Sequence, residues 1–280
     1  MDQKTLIPVS IVVAGLFIAG AVFYSNRQPN STDFNFRTLR ITTQPVSVPE
    51  DGSISININP VTDEDWVRGN LDAQIKLVEY SDTECPFCKR LHETMNEIVT
   101  EYDGSEVAWV YRHLPLSQLH SKAGIESVAT ECAGDLAGQD GFWNFTNRLY
   151  SETPSNNQLD LDQLLVIAED VNLDLDDFKS CLSEDKFDAV VLADAQDAVN
   201  SAAHLGGRIG TPYTVMVSET ELNTEALSVL GSIADQYNSA SQTIVTISDD
   251  KKRATLSGAL PKEMFTSILD AALGEDDDQI

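Results

Sequence analysis

One stretch decides the fold, residues 79–90: Glu79-Tyr80-Ser81-Asp82-Thr83-Glu84-Cys85-Pro86-Phe87-Cys88-Lys89-Arg90. An apolar, strand-like run at residues 76–80 precedes the two cysteines. Apolar residues at the spacing of one helix face follow them, over residues 88–102. The sequence therefore predicts a Cys-x-x-Cys motif at a strand-to-helix junction.

A helix start favours a reactive thiol. The unpaired N–H groups and the positive end of the helix dipole stabilise a thiolate, and Cys-x-x-Cys sites lower a cysteine pKa from about 8.5 to as little as about 3.5. Pro86 suits the first turn, because its missing N–H is no loss there. We therefore expect Cys85 to be an exposed nucleophile and Cys88, one turn further in, to be the shielded resolving thiol.

Two alternatives for the cysteine pair are half of a zinc site and two fortuitously buried thiols. The sequence holds four cysteines and four histidines. It contains no second Cys-x-x-Cys and no His-x-x-x-His motif that would complete a zinc site. The pattern therefore favours redox chemistry and implies no metal or organic cofactor.

The charge balance is strongly acidic, with 45 Asp and Glu against 18 Lys and Arg and a net charge of −27. Contacts to phosphate need Lys and Arg, so we expect no nucleic-acid partner. A heavily solvated acidic surface accounts for the excess. A salt-rich habitat is the alternative left open.

The N-terminus carries a membrane signal. Residues 6–24 are almost wholly apolar and uncharged, and such a helix would be about 28 Å long. This predicts a transmembrane anchor within residues 1–24, with a cleaved signal peptide as the alternative. Residues 25–38 are polar and predict a tether. The flanking basic residues do not favour an exported body, so its outward placement is inferred from function.

Residues 39–274 predict one α/β domain, followed by an acidic tail at 275–280. Strand patterns lie at residues 54–58, 76–80, 107–111, 214–217, 243–248 and 253–256. Helical patterns lie at residues 88–102, 121–137, 140–151, 160–171, 175–183, 186–205, 218–242 and 261–273. Ser218 and Glu221 match a capping box at the start of the 218–242 segment.

Residues 79–90 resemble the active-site stretch of the DsbA-like thiol–disulfide oxidoreductases, a branch of the thioredoxin fold. Three further segments are similar to that family's second-strand end, cis-proline loop and last-helix entry: Arg112-His113-Leu114-Pro115-Leu116, Gly210-Thr211-Pro212 and Gly258-Ala259-Leu260-Pro261. The resemblance covers roughly residues 60–217 and 243–273. It implies a thioredoxin-like α/β fold with a central mixed sheet and a helical insertion at about 121–205.

The resemblance also assigns roles around the cysteines, with Pro86 and Phe87 as supporting residues between them. Pro212 would be cis and lie across from Cys85, with the Thr211 backbone exposed for a substrate peptide. Glu79 would be a buried acid that assists proton transfer, with a solvated strand edge as the alternative. His113 is expected to pack rather than to act as a base.

Cys132 and Cys181 form a structural disulfide by the same resemblance, with two separate buried thiols as the alternative. Such a bridge would close a loop with 48 residues between its ends and contribute roughly 4 kcal/mol. One region departs from the family: residues 218–242 replace a short turn. We expect that insertion at the pole away from the cysteines, where it would leave the active site unchanged and could bind a partner.

These expectations describe a membrane-anchored, single-pass, extracytoplasmic oxidase that introduces disulfides into exported proteins. Its partners would be thiol-bearing exported substrates and a membrane redox protein that reoxidises the cysteine pair, and we expect a monomer. A reductase or isomerase of the same fold stays open. So does a non-enzymatic chaperone or adaptor that docks through the helical insertions.

Overall fold

The structure is a computed structural model and describes residues 34–274. The expected anchor at 1–24, the first part of the tether and the acidic tail at 275–280 lie outside these residues. Within residues 34–274, no helix has the length and apolar character needed to cross a membrane. A compact unit begins at Phe36, and Arg37, expected in the tether, already pairs with Asp188 of this unit.

The sheet has six strands: β1 (Trp66–Arg68), β2 (Ile75–Ser81), β3 (Val107–His113), β4 (Tyr213–Ser218), β5 (Val245–Ile247) and β6 (Arg253–Ser257). Their order across the sheet is β1-β3-β2-β4-β6-β5. β2 and β3 are parallel and every other pair is antiparallel, so the predicted mixed sheet is confirmed. β2 and β3 are buried along their whole length, as expected of parallel strands covered on both faces.

The helices are α1 (Pro86–Glu101), α2 (Ala123–Glu152), α3 (Gln163–Asp170), α4 (Leu175–Ser183), α5 (Asp188–Ser201), α6 (Thr224–Tyr237) and α7 (Lys262–Leu273). A short 3₁₀ turn, Ala203–Leu205, follows α5. α2 joins two predicted helices across a break at Ala137 and Gly138, where Gly138 has a φ of 65°. The helical block predicted at 121–205 is therefore observed, with its break at the predicted place.

The sheet divides the core into two layers. Leu77 and Trp109 face the layer that holds α1, α6 and α7, and Cys85 and Cys88 belong to this layer. Val78 and Val110, the next residues along β2 and β3, face the layer that holds α5. This alternation follows from the two-residue period of a strand. Side chains of β2 therefore pack into both layers and hold the strand in place.

The strand predicted at 54–58 is wrong. The segment has no regular secondary structure and pairs with no strand of the sheet, although Ile56 is buried. Its hydrogen bonds within the described residues run to Asp249: the Asp249 N–H donates to the Ile54 carbonyl, and the Ile54 N–H donates to the Asp249 carboxylate, each at 2.9 Å. The alternation of isoleucines therefore reflects burial of one face without a hydrogen-bonded ladder.

The predicted start of the 218–242 helix is also wrong. Ser218 is the last residue of β4, where its N–H donates to the Lys252 carbonyl at 2.9 Å. α6 begins at Thr224 instead, because Asn223 caps it by accepting a hydrogen bond from the Ala226 N–H at 2.8 Å. The capping-box pattern at Ser218 was overridden by pairing in the sheet.

A disulfide joins Cys132 of α2 to Cys181 of α4, with their Cα atoms 5.8 Å apart. The alternative of two separate thiols does not hold in this structure. The bridge joins two helices of the block. Close to Cys181 in sequence, the Leu182 carbonyl and the Asp188 carboxylate accept hydrogen bonds from the Arg37 guanidinium. The bridge therefore stabilises the helical block, not the sheet.

Candidate active site

The cysteine pair lies where β2 ends and α1 begins, as the sequence predicts. Cys85 is the N-cap residue of α1, with Pro86 in the first turn, and its thiol makes no capping hydrogen bond within the usual distance. The Cys85 N–H donates to the Asp82 carbonyl at 3.0 Å, which fixes the turn between strand and helix. The backbone N–H groups of Phe87 and Cys88, in the first turn of α1, favour the Cys85 thiolate and lower its pKa.

The two thiols are free in this structure and differ strongly in acidity. The pKa of Cys85 falls to about 6, chiefly because the Cys88 thiol hydrogen-bonds to it. Burial opposes this shift, and Thr211 and the backbone N–H groups of Cys88 and Phe87 add to it. Burial raises the pKa of Cys88 well above its usual range. At neutral pH one thiolate is present, and it is on Cys85.

Cys85 is not exposed, contrary to the expectation from sequence. The residue is 5% exposed, whereas Phe87 beside it is 52% exposed. Residues 211–212 cover the sulfur, since the Thr211 carbonyl oxygen lies 3.4 Å from Cys85 Sγ. The expected exposure of Cys85 was based on its position at the helix start. It did not include the loop at residues 211–212, which lies 126 residues further along the chain.

The Thr211–Pro212 peptide bond is cis, as the resemblance implies. The Pro212 carbonyl accepts a hydrogen bond from the Gly258 N–H at 2.9 Å, which holds the loop against β6. The Thr211 hydroxyl oxygen is buried and has no hydrogen-bond partner among the described residues. It is available to donate to the Cys85 thiolate, in agreement with the lowered pKa of that thiol.

Cys88 lies one helical turn inside and is fully buried. Its sulfur accepts a hydrogen bond from the Asp82 N–H at 3.3 Å. The Ser81 hydroxyl is a further, weaker influence that favours its thiolate. The arrangement gives one reactive sulfur under the loop and a second sulfur that only Cys85 can reach.

Glu79 is fully buried, so the alternative of a solvated strand edge is wrong. Its carboxylate accepts hydrogen bonds from the Ser81 hydroxyl at 2.6 Å and the Trp109 indole at 2.9 Å. Burial raises its pKa to about 7, against these two hydrogen bonds. Because Ser81 also influences Cys88, a polar path joins the Glu79 carboxyl to the buried thiol.

A second acidic cluster borders Cys85, and sequence reasoning missed it. Glu84 and Glu126 are both fully buried. One oxygen of Glu84 accepts from the Asn157 N–H, and one oxygen of Glu126 accepts from the Thr83 hydroxyl at 2.7 Å. The second carboxylate oxygen of each residue, Oε1, has no hydrogen-bond partner within residues 34–274. Burial, and next the neighbouring Glu84 carboxyl, raise the pKa of Glu126 well above its usual range.

A fourth acid, Asp82, pairs with a histidine of the loop before α2, His120. Its carboxylate accepts hydrogen bonds from the Leu116 N–H at 2.7 Å and from Nδ1 of His120 at 2.9 Å. The Asp82 contact raises the pKa of His120, and the Cys85 charge raises it further. The sequence signal is weak, because His120 lies 38 residues beyond Asp82 and only the fold brings them together.

His113 packs away from the cysteines, as expected. It is fully buried and its Nε2 lies 2.8 Å from the Glu131 carboxylate of α2. Its ring contacts Tyr111 and Phe142 edge-on. These contacts make it part of the seam between β3 and α2.

A groove of about 780 Å³ opens beside the cysteine pair. Its lining includes Phe87, residues 208–212, residues 240–244 and residues 257–260. The segment at 240–244 comes directly after α6, so the expectation that the insertion leaves the active-site end untouched is wrong. β5 begins with Val245, which pairs with Leu256 near the end of β6, and the next residue of β6, Ser257, pairs with Tyr213 beside the cis-proline loop. The chain must therefore return from α6 to the end of the sheet where the cysteines lie.

Comparison with known proteins gives relatives of two kinds. The chain is 35% identical over 182 residues to the Na(+)/H(+) antiporter NhaA 1 of Salinispora arenicola, covering 64% of this chain and 26% of that protein. It is 33% identical over 162 residues to the Na(+)/H(+) antiporter NhaA 3 of Salinispora tropica, covering 58% and 23%. The match thus spans about a quarter of the length of these curated relatives.

Solved structures share the fold at low identity. Wolbachia pipientis alpha-DsbA1 superposes with a TM-score of 0.55 at 21% identity, covering 75% of this chain and 92% of that one. A periplasmic thioredoxin-like protein from Salmonella enterica serovar Typhimurium gives a TM-score of 0.51 at 16% identity, covering 76% and 92%.

The model of a thioredoxin family matches residues 61–235, a span that holds the cysteine pair, the cis-proline loop and the helical block. The fold expected from the DsbA-like resemblance is therefore confirmed, and the chain belongs to the thioredoxin family.

Proposed function

We propose that this chain is a protein dithiol–disulfide oxidase that introduces disulfides into exported proteins. The observation that carries the proposal is the difference between the two thiols, one with a pKa lowered to about 6 and one with a pKa raised by burial. A stabilised Cys85 thiolate favours the reduced state of the pair. A pair that is stable when reduced is a strong oxidant when it is a disulfide.

The reaction begins with the Cys85–Cys88 disulfide. A substrate thiolate attacks Cys85 Sγ, a mixed disulfide forms between them, and Cys88 leaves as a thiolate. A second substrate thiolate then attacks the substrate sulfur of that mixed disulfide, and Cys85 leaves as a thiolate. The substrate loses two electrons and two protons and gains a disulfide, and the enzyme becomes the dithiol.

Buried groups manage the protons of this cycle. Cys88 leaves as a thiolate in a fully buried position, where a charge is unfavourable. Glu79, with a pKa of about 7, is able to give a proton through Ser81 and take it back during reoxidation. Thr211 and Pro212 provide the loop against which a substrate backbone lies.

The proposal includes a place and a partner. The Cys132–Cys181 disulfide supports an oxidising compartment, since such bridges persist outside the cytoplasm. The apolar residues 6–24 support a single-pass anchor that holds the domain at the membrane. A membrane redox partner must accept two electrons from the dithiol to restore the disulfide. The cation transport in the names of the antiporter relatives is not carried over, because the match spans about a quarter of those proteins.

The test is stoichiometric oxidation of a reduced dithiol peptide by the disulfide form of the full chain. We expect one peptide disulfide for each enzyme dithiol formed, and none from Cys85→Ser. Insulin reduction and refolding of scrambled ribonuclease measure the competing reductase and isomerase activities. Faster insulin reduction than peptide oxidation would overturn the oxidase proposal. Cellular function that survives in a Cys85→Ser, Cys88→Ser double variant would instead indicate an adaptor.

A further inference from the structure

The groove beside the cysteine pair carries the opposite charge from the rest of the chain. Its lining contains Arg90 and Arg208 and no Asp or Glu. The whole chain has 45 acidic residues against 18 basic ones. The electrostatic potential in this groove is therefore opposite in sign to that of the acidic surface around it. A concave groove also strengthens the potential produced by the charges that line it.

Both arginines are exposed, and neither has a carboxylate within ion-pair distance in the described part of the chain. The Arg90 guanidinium lies 5.2 Å from the Phe87 ring centre, and Arg208 donates only to the Leu205 carbonyl at 3.3 Å. Half of the other Lys and Arg side chains within residues 34–274 pair with a carboxylate: Arg37, Lys76, Arg112, Arg148, Lys186, Arg253 and Lys262. The two groove arginines therefore keep their hydrogen-bonding capacity free for a ligand.

Their positions relate them to the reacting sulfur. Arg90 follows Phe87 by one turn of α1, and Arg208 precedes the Thr211–Pro212 bond, whose threonine carbonyl lies 3.4 Å from Cys85 Sγ. A peptide whose cysteine reaches Cys85 would place its neighbouring side chains near one or both guanidinium groups. The part of the groove lining formed by residues 240–244 is uncharged and offers hydroxyl, amide and backbone groups.

We propose that the groove receives an acidic segment of the substrate polypeptide, with Asp or Glu residues flanking the reacting cysteine and pairing with Arg90 and Arg208. This names the substrate class of the proposed oxidase and rests on that function. An acidic substrate is repelled by most of this chain's surface, so the cationic groove both attracts it and directs it to the one place where its thiol can react. Guanidinium groups suit this role because they bind carboxylates through two parallel hydrogen bonds.

Binding is tested separately from exchange. Three fluorescent peptides share one sequence with serine in place of cysteine and carry Glu, Gln or Lys at the flanking positions. We expect the full chain to bind the Glu peptide at least about 10-fold more tightly than the Lys peptide at low salt, with the preference shrinking as salt screens the charges. Equal affinities, or a preference for Lys, would overturn the inference whatever the enzyme's activity.

Variants identify the groove as the source of the preference. Arg90→Gln and Arg208→Gln should each reduce the Glu-over-Lys ratio, and the double variant should abolish it. Arg40→Gln is the matched control, because Arg40 is exposed and does not line the groove. An Arg40→Gln effect as large as that of Arg90→Gln would indicate net charge alone and contradict the proposal.

Cysteine versions of the same peptides separate the two proposals. If they are oxidised at rates that follow the binding preference, both the oxidase function and the groove assignment hold. Oxidation of all three at equal rates would leave the oxidase standing and overturn the groove assignment. Tight binding of the Glu peptide without oxidation would overturn the oxidase and leave the groove as a binding site for acidic polypeptide.

Discussion

The molecule holds two pairs of cysteines, and burial does not distinguish them. Cys85 and Cys88 are 5% and 0% exposed, and Cys132 and Cys181 are 0% and 8% exposed. The first pair is a dithiol at the start of α1, beneath a cis-proline loop and beside a groove. The second is a disulfide between two helices of the insertion.

What differs is the position of each sulfur on its helix. Cys85 stands at a helix N-terminus, where unpaired N–H groups and the dipole favour a thiolate. Cys132 lies within α2, and Cys181 lies in the last turn of α4, where the dipole disfavours negative charge. Reactivity in this fold therefore follows from the hydrogen-bond donors around a sulfur, and stability follows from the length of chain that a bridge closes.

The largest effect on activity is expected from removing Cys85, which breaks the first pair. Cys85→Ser should abolish dithiol–disulfide exchange, because Cys88 is buried and unreachable by a substrate. It should also remove the thiolate absorbance that titrates near pH 6. Cys132→Ser with Cys181→Ser is the control and should keep that titration. A titration near pH 6 that persists in Cys85→Ser would assign the acidic thiol to another residue.

Replacing the resolving thiol separates the roles within the first pair. In Cys88→Ala, the Cys85 thiolate can still attack a disulfide of an exported protein, whose other sulfur leaves as a thiolate, and Cys88 is no longer present to release the resulting mixed disulfide. We expect covalent adducts with exported proteins on non-reducing gels of cells that express this variant. Cys85→Ala expressed at the same level should give none. Equal adduct patterns from the two variants would show that Cys85 is not the sulfur that forms the mixed disulfide.

Breaking the second pair should affect stability and spare the chemistry. Cys132→Ser with Cys181→Ser should lower the free energy of unfolding by about 4 kcal/mol, the chain-entropy cost of a loop of this length. Denaturant unfolding measures the loss, and peptide exchange at a temperature where both proteins are folded measures the activity. A loss of exchange as complete as that of Cys85→Ser would contradict the division of roles between the two pairs.

A smaller effect concerns the acid that serves the first pair. The Glu79 carboxyl is protonated in the folded state up to about pH 7 and in the unfolded state only up to about pH 4.5. Stability from the neutral buried form is therefore complete below about pH 4.5 and is lost as pH rises through 7. Relative to Glu79→Gln, the wild-type protein should lose roughly 3 kcal/mol across this window.

Denaturant unfolding of both proteins between pH 4 and pH 8 measures this difference. Glu93→Gln is the control, because Glu93 is exposed on α1 and should follow the wild-type curve. A pH-independent difference between the wild-type protein and Glu79→Gln would mean that Glu79 titrates normally. Its assignment as a proton carrier for Cys88 would then fail.

The parts of the site that are local in sequence were predictable. The strand end, the helix start and both cysteines lie within residues 79–90, so propensity and pattern alone place them. The resemblance added the cis bond at Pro212 and the Cys132–Cys181 pairing, both present in the structure. The helical block followed from its apolar spacing, and even the break near Gly138 was marked by a gap between two predicted helices.

The parts of the site that depend on tertiary contacts could not be predicted from the sequence. Cys85 was expected to be exposed, because nothing within its own segment shows that Thr211 covers it. Glu126 and His120 carry no motif, and only packing of α2 and its preceding loop against residues 82–84 gives them partners. The return of the insertion to the groove depends on the direction of β5, which the sequence pattern does not specify.

The central claim is that the fold stabilises the reduced Cys85–Cys88 pair and so makes its disulfide an oxidant. The direct test is the reduction potential of that pair, measured by equilibrium with glutathione redox buffers on the full chain. The account predicts a potential well above that of thioredoxin, which is about −270 mV, and toward the values of about −180 to −120 mV found in oxidising members of this fold. A potential at or below about −270 mV would contradict the account and indicate a reductase.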